Sequence, residues 1–484
     1  MPYPEERASR IGHVPTALSP AIVEAMKRWE TPSLEVGDEA PAHITKRLTP
    51  LDDLPRDQRP DPSFTIAFDG SNQEVEARAG YPSVRVGFMQ IAGVYVDIVR
   101  FLHANQTGLV DARELEKAQI TQTVNSVLPG SNVYLKGTTG VDTWRMEFAR
   151  AFAEAGISDF GPKFTLADAL MTIHGRPGRA ATELTLSKCP NCDSVGMPSQ
   201  TVTIKGGTCS EPLCGASLHA TDVLRIYEEY TKDGENIRTL NLSMNIAERL
   251  LLVSYIDGFY RHSPYRLSQG LFITDGPLAV YGATAPMKSG FLRYWEQLCA
   301  DLEARDLAPP LLVGIEKRGN FADHAHAIHS HIPNGHVMML DTPYINEYIN
   351  NERPDHFYGK DEFYGRRFFY KTTTGEMLVV TVPRVPGGRP YEKPQPLFNG
   401  SFKRLAAEDY ASYPTLRVTL ETLDLLQTRL YPNAVIPVAL AHSASSLPLG
   451  TGRSVLTLLA QQSLGMPQDS ISLSRFKPQR YGQR

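Results

Sequence analysis

The 484-residue sequence has only five cysteines, and four of them fall between positions 189 and 214. Such crowding excludes a disulfide framework spread across a secreted fold. Long apolar runs are missing as well: no stretch approaches the roughly 20 residues that a membrane-spanning helix needs. The opening MPYPEERASRIGHVP has neither a basic leader region nor an apolar core, so it does not read as a signal peptide. Nor is there a surplus of one charge. Lys and Arg number 49 against 53 Asp and Glu, a net charge of −4, so no global basic field advertises nucleic acid; an acidic polymer would need a local groove or a partner. What the chain does have is 42% hydrophobic and 21% charged residues, the balance of a folded, soluble protein. Its length suits one large core with insertions, or roughly two or three ordinary domains. A cytosolic protein is expected.

Residues 1–62, rich in Pro, Asp, Glu and Arg, read as an N-terminal extension. It has one helix at SPAIVEAMKRWE, where Ser19 can cap and Pro20 takes the first helical position. From 63 to about 102, SFTIAFDGS, EVEARAG and VRVGFMQIAGVYVDIVRF read as successive strands. Helical patterning is assigned to DARELEKAQITQTVNSVL and DTWRMEFARAFAEAG. A cysteine segment, 183–222, then interrupts the core. The core resumes with a helix at NLSMNIAERLLLVSYIDGFYR, a strand ending at Asp275, a helix at SGFLRYWEQLCADLEARD and the strand PPLLVGIEKRG. Strands at HVMMLDT, RRFFYKT and EMLVVTVP precede a long helix, TLRVTLETLDLLQTRLY, the apolar VIPVALAHSAS and a helix near 453–462. The basic tail over 463–484, with Arg475, Lys477, Arg480 and Arg484, reads as solvated. Strands in runs with interspersed helices indicate an α/β or α+β sheet covered by helices.

Cys189 and Cys192 form CPNC, and Cys209 and Cys214 form CSEPLC before Gly215. Two thiolate pairs on tight knuckles supply the tetrahedral sulfur set that zinc prefers. Buried free thiols or a redox pair fit so polar and Gly-rich a segment poorly. Four thiolates leave no open coordination position, so this zinc is expected to fold a small ribbon and perform no chemistry. Cys299, between Leu298 and Leu302, reads as core.

Two apolar strands share an ending: FTIAFDGSNQ carries Asp69 and GLFITDGPLAVYG carries Asp275. Cleaving a phosphodiester calls for divalent cations, which take oxygen ligands, and a strand-end carboxylate before a Gly turn holds such an ion accessibly. Asp-Gly is also a favoured turn dipeptide, and on the residues alone both readings stand. Glu248, in NIAERLLLV, lies near a buried helical stripe and needs a partner or a metal; otherwise it pairs with Arg249 or Arg261 in solvent. Asp257 is the reserve on the same helix. Lys317, closing LLVGIEKRG, can neutralise a phosphate, as can Arg318, or is an ordinary surface lysine. His442 is a metal ligand, a proton donor or a satisfied structural residue. Five histidines, at 324, 326, 329, 331 and 336, read as a solvated loop or helix end in preference to a metal site.

The order of IAFDGS, a glutamate-bearing helix, FITDGPL, LLVGIEKRG and LYPNAVIPVALAHSAS resembles the NurA nuclease family, over residues 63–180 and 236–462. The resemblance implies an RNase H-like fold, a mixed sheet flanked by helices over 63–182 and 223–462, which the zinc ribbon expected from the cysteine spacing interrupts at 183–222. It implies a manganese- or magnesium-dependent DNA nuclease, cytoplasmic and prokaryotic. Such an enzyme would form a homodimer and work with a HerA-type hexameric ATPase in DNA end processing or anti-phage defence. Metal binding is carried onto Asp69, Asp275, Glu248 and His442, catalytic assistance onto Lys317 and His442, and a further tyrosine onto Tyr431. The chain departs from the family in its four-cysteine insertion and in DGP where DGS is commoner; Pro277 removes a backbone donor there but spares the carboxylate. The competing class is a non-enzymatic zinc-ribbon adaptor that docks on a motor ATPase and touches nucleic acid. An adaptor has no reason to hold Asp69, Glu248 and Asp275 within reach of one ion. A hydrolase of nucleotides or another phosphate substrate would share the site and differ in the groove around it.

Overall fold

The computed structural model describes residues 14–29, 41–57, 59–80, 82–104, 117–193, 200–350, 352, 358–359, 361–385, 409–427, 435–447 and 451–466. Within them, nine strands build one mixed sheet: β1 (Leu48–Pro50), β2 (Phe64–Arg78), β3 (Val84–Asp97), β4 (Gln119–Pro129), β5 (Gly270–Asp275), β6 (Leu311–Glu316), β7 (His336–Met339), β8 (Arg366–Lys371) and β9 (Met377–Val382). Their spatial order is β1, β7, β8, β9, β6, β5, β2, β3, β4. The centre is parallel, with β5 pairing both β6 and β2 in that sense, and every other pairing is antiparallel. An antiparallel β2–β3–β4 meander joined through β2 to two parallel strands is the RNase H-like arrangement that the resemblance implies.

Side chains alternate between two cores, as the pleat requires. Phe64, Ile66 and Phe68 of β2 face a core shared with helices α1 (Gly140–Glu154), α2 (Leu166–His174), α3 (Ile237–His262) and α4 (Lys288–Glu303). Ala67 of β2, with Leu271 and Ile273 of β5, faces the opposite core, beneath α5 (Leu416–Leu425) and α6 (Ile436–Ser445). A last helix, α7 (Thr451–Ser463), lays Ala460 against Val75, Ala77, Val84 and Val86. Helix α3 is buried nearly all round, which is why its sequence is apolar on more than one face. No described helix is long and apolar enough to cross a membrane.

Two local expectations are corrected. β2 does not stop at Asp69: pairing with β3 continues through Asp69↔Ala92, Gly70↔Ile91 and Ser71↔Gln90 to Arg78, so FDGSNQEVEA is one strand and not two separated by a turn. Fourteen residues of β3 offer a ladder that outweighs the local turn preference of Gly-Ser-Asn. The helix assigned to DARELEKAQITQTVNSVL is, where described, mostly strand β4, because Ile120, Thr121, Thr123, Val124 and Val127 are stiff β-branched residues that pair along β3. VIPVALAHSAS is a helix, α6, with Pro437 in its first turn. Tyr431 and the basic tail from 467 onward lie outside the described residues.

The cysteine segment forms small ribbons, Leu184–Leu186 with Gln200–Val202 and Gly207–Thr208 with Ser217–Leu218. Its apolar residues Leu184, Leu186, Val202 and Leu218 join the core under α1, α2 and α3. Arg145 of α1 clamps it. Its guanidinium donates to both carboxylate oxygens of Asp222, at 2.9 and 2.7 Å, and to the Ser217 carbonyl at 2.8 Å, with both side chains of the pair buried. Removing one member of such a pair strands the other, so Arg145→Met is expected to cost about 3–5 kcal/mol. A urea unfolding titration measures this; a loss under about 1 kcal/mol would show that the clamp carries little.

Candidate metal centre

Among the described residues, two groups of metal-ligating side chains gather. One is Asp69, Asp275 and His442, whose ligand atoms lie within 4.8 Å of one another. Asp69 and Asp275 stand on adjacent parallel strands and share a face with Ala67, Leu271 and Ile273; His442 comes down from α6 above that face. After Asp275 the chain turns through Gly276 at φ +87°, a left-handed backbone that favours glycine, and the Gly276 amide donates to the Ile315 carbonyl at 2.8 Å. The sharp turn leaves the carboxylate half-buried at the strand end.

The cluster is internally paired. His442 Nδ1 is 2.8 Å from Asp69 Oδ2, which orients the ring and leaves Nε2 outside that contact. Lys317 Nζ donates to Asp275 Oδ2 at 3.0 Å. Asp69 is 5% exposed, and burial pushes its carboxyl above the usual range; Asp275 adds to the rise while His442 and Lys317 oppose it. Around an ion with oxygen ligands at about 2.1 Å, donors are at most about 4.2 Å apart. Two carboxylates and an imidazole already within 4.8 Å therefore fit a divalent cation with adjustments of a few tenths of an ångström.

Glu248 reaches this centre from the other side of the sheet. It sits on α3, beneath Gly70, and a Cβ at Gly70 would come 2.6 Å from Glu248 Oε1 and 2.8 Å from Met244 Cγ. The glycine thus opens a window in β2 beside Asp69. Burial pushes the Glu248 carboxyl up to about 8, with Asp69 and Asp275 adding to the rise and Arg249 opposing it. It is not one of the three groups that share the 4.8 Å cluster; its Oε2 is held by Arg249. Gly70→Ala is expected to displace Glu248 and lower stability by about 1–3 kcal/mol. The thermal midpoint against the parent checks this, and an unchanged midpoint would remove the window.

The alternative in which Glu248 pairs with Arg249 in solvent has the partner right and the setting wrong, since the pair forms with Arg249 only 3% exposed. Besides Glu248 it bonds the carbonyls of Asn245 at 3.2 Å, Pro277 at 3.2 Å and Ala279 at 3.3 Å, tying α3 to the segment that follows Asp275. Ser71 and Gln90 were missed. The Ser71 hydroxyl donates to the Ser445 carbonyl and accepts from the Leu447 amide at 2.9 Å, and Gln90 Nε2 donates to the Ala444 carbonyl at 2.7 Å; both pin the end of α6 that carries His442. No local pattern marks either residue, because Ser71, Asn72, Gln73 and Glu74 put polar groups on both faces of β2 and Gln90 shares its face of β3 with Phe88, Ala92 and Val94.

Asp257 is structural: it accepts from the Gly178 amide at 2.7 Å and from Tyr294 Oη at 3.3 Å, and pairs with Arg261. Of the histidine group, His324 contacts Tyr344 Oη at 2.8 Å and His329 the Gly375 carbonyl at 2.8 Å, and none joins a ligand cluster among the described residues. Cys299 is buried core.

The second group is Cys189, Cys192, Cys209 and Cys214. Zinc–sulfur bonds of about 2.3 Å put tetrahedral sulfurs about 3.8 Å apart. The Cys192–Cys209 and Cys189–Cys214 sulfurs stand at 3.8 and 3.9 Å. The amides of Asn191 and Glu211 donate to the sulfurs of Cys189 and Cys209, at 3.4 and 3.5 Å, one on each knuckle. The donor set fits zinc.

No protein-family model matches the sequence. No curated protein matches it either. Among solved structures, the chain is similar to the NurA nuclease from Sulfolobus solfataricus, at 9% identity, over 95% of this chain and 98% of that one, with a TM-score of 0.31. A second NurA crystal structure is similar at 9% identity over 94% and 97%, with a TM-score of 0.27. Superpositions this loose carry no weight for fold or chemistry, which rest on the strand order and side chains described above.

Proposed function

We propose that this chain is a divalent-metal-dependent nuclease that hydrolyses phosphodiester bonds in DNA. The observation that supports it most is the convergence of Asp69, Asp275 and His442, from three elements far apart in sequence, with Lys317 beside them and Glu248 behind. An adaptor reading leaves that convergence without a purpose. A divalent cation held by Asp69, Asp275 and His442 would activate water and offset charge on the phosphate oxygens. Lys317, already 3.0 Å from Asp275 Oδ2, brings a second positive group to the place where a phosphate would sit. With its Nδ1 turned toward Asp69, His442 would join the ion that Asp69 and Asp275 hold through that nitrogen, leaving Nε2 clear of it. Arg249 fixes Glu248 and the Pro277–Ala279 carbonyls, so the segment after Asp275 does not drift.

The resemblance extends the reading to manganese or magnesium, a second copy of the chain and a HerA-type ATPase in DNA end processing or defence. A net charge of −4 favours a partner that shares the capture of DNA. The test is incubation of the zinc-loaded chain with end-labelled linear and with circular DNA, in manganese, in magnesium and without either, alone and with a candidate ATPase. Cutting that requires the added ion is expected. No cutting under any of these conditions would overturn the reading and favour the adaptor.

A further inference from the structure

About 21 Å along α3 from Glu248, at the end that carries His262, lies a cavity of about 350 Å³. Its lining includes Phe160, Lys163, Phe164, Asp168, Arg261 and His262. The volume is that of a small-ligand site, within the roughly 300–1,000 Å³ typical of such pockets. Its aromatic wall is built into the helix: a Cβ at Gly258 would come 2.3 Å from Phe160 Cδ2, so only a glycine there lets the ring seat on α3. Phe160 packs edge-on to Phe259, with centroids 4.9 Å apart, and stacks at 5.7 Å with His262. The Arg261 guanidinium lies 4.6 Å above the Phe164 ring.

The cavity's charges are unevenly committed. Asp168, its one acid, accepts from the Thr165 amide at 2.8 Å and the Thr165 hydroxyl at 2.6 Å as the reciprocal half of the α2 capping box. Arg261 pairs with Asp257 through Nε at 2.9 Å. Lys163 is exposed on the loop that carries Phe160. A flat aromatic wall beside lysine, guanidinium and imidazole suits a planar ring that carries an anion. An aromatic face stacks a nucleobase of any sequence, and a guanidinium and an ammonium hold a phosphate.

We infer that this cavity binds a nucleoside phosphate, free or as the terminal nucleotide of a nucleic-acid strand, with the base against Phe160 and the phosphate held by Lys163 and Arg261. The inference uses no residue of the metal cluster and stands whether or not the chain cuts DNA.

The experiment is calorimetric titration of the full, zinc-loaded chain, without manganese or magnesium, using AMP, a 5′-phosphorylated DNA pentamer, the same pentamer without the phosphate, and inorganic phosphate. AMP or the phosphorylated pentamer is expected to bind, and Lys163→Glu to weaken that binding at least about tenfold. Lys163 is exposed, so an unchanged unfolding midpoint is expected to show that the variant folds. Phe160→Leu is expected to weaken AMP more than inorganic phosphate. Binding of AMP assigns the site to free nucleotides as well as strands; binding of the phosphorylated pentamer alone assigns it to strand ends. The inference is overturned if neither probe binds at about 1 mM, if the unphosphorylated pentamer or inorganic phosphate binds as well as its counterpart, or if Lys163→Glu binds like the parent.

Discussion

Asp275→Asn is expected to lower metal-dependent DNA cleavage by about three orders of magnitude or more, and Asp69→Asn by a similar factor. The amide keeps the size of the side chain and removes the charge that an ion needs. At Asp275 the substitution also releases Lys317, whose ammonium bonds Oδ2 at 3.0 Å. At Asp69 it alters the partner that orients His442 at 2.8 Å. If the two act on one ion, the double variant should be little worse than either single one, since residues that work as a unit lose their function together. Single-turnover cleavage of end-labelled linear DNA measures all three, with circular dichroism showing that the proteins fold. A single variant that cuts within about tenfold of the parent would separate the two aspartates.

The second large effect belongs to the cysteines. Cys189→Ser is expected to drop zinc content from about one per chain to well below that, and to cost several kcal/mol of stability, a fraction of the roughly 10–16 kcal/mol with which structural sites hold zinc. The loss should not remain local. Cys189 is 0% and Cys209 6% exposed, and both lie in the core that also contains Phe148, Leu170 and Leu250. Unfolding the ribbon uncovers that surface and loosens the Arg145–Asp222 clamp between the ribbon and α1. A chelator that strips zinc from the parent should reproduce the variant's lowered midpoint. A zinc-free protein with the parent's midpoint would mean that the ribbon stands on its own packing.

Much of this was legible in the residues. Cys189, Cys192, Cys209 and Cys214 announce themselves by spacing, because a tetrahedral ion needs ligands that short knuckles deliver. Asp275 was readable as the end of a buried strand, with Gly276 behind it to turn the chain. Asp69 was chosen for a reason that does not hold: it lies inside β2 and not at its end. What marks it there is the glycine that follows, which lets Glu248 approach from below the strand, and a sequence does not say what lies beneath a glycine. The same gap hid the setting of Arg249. A charged residue beside Glu248 in an apolar helix reads as solvent-facing until α3 proves to be enclosed on nearly every side. β4 was misassigned because DARELEKAQ favours a helix while ITQTVNSV pairs with β3, and pairing across strands is not a local property.

Asp69, Asp275 and His442 forming one divalent-metal site is the claim on which the functional reading turns. Anomalous diffraction from crystals soaked in manganese tests it most directly. A manganese peak within bonding distance of both carboxylates and the His442 ring is the expected result, and it should vanish in Asp275→Asn crystals. Clear density for the three side chains with no peak between them, or a peak only elsewhere, would contradict it.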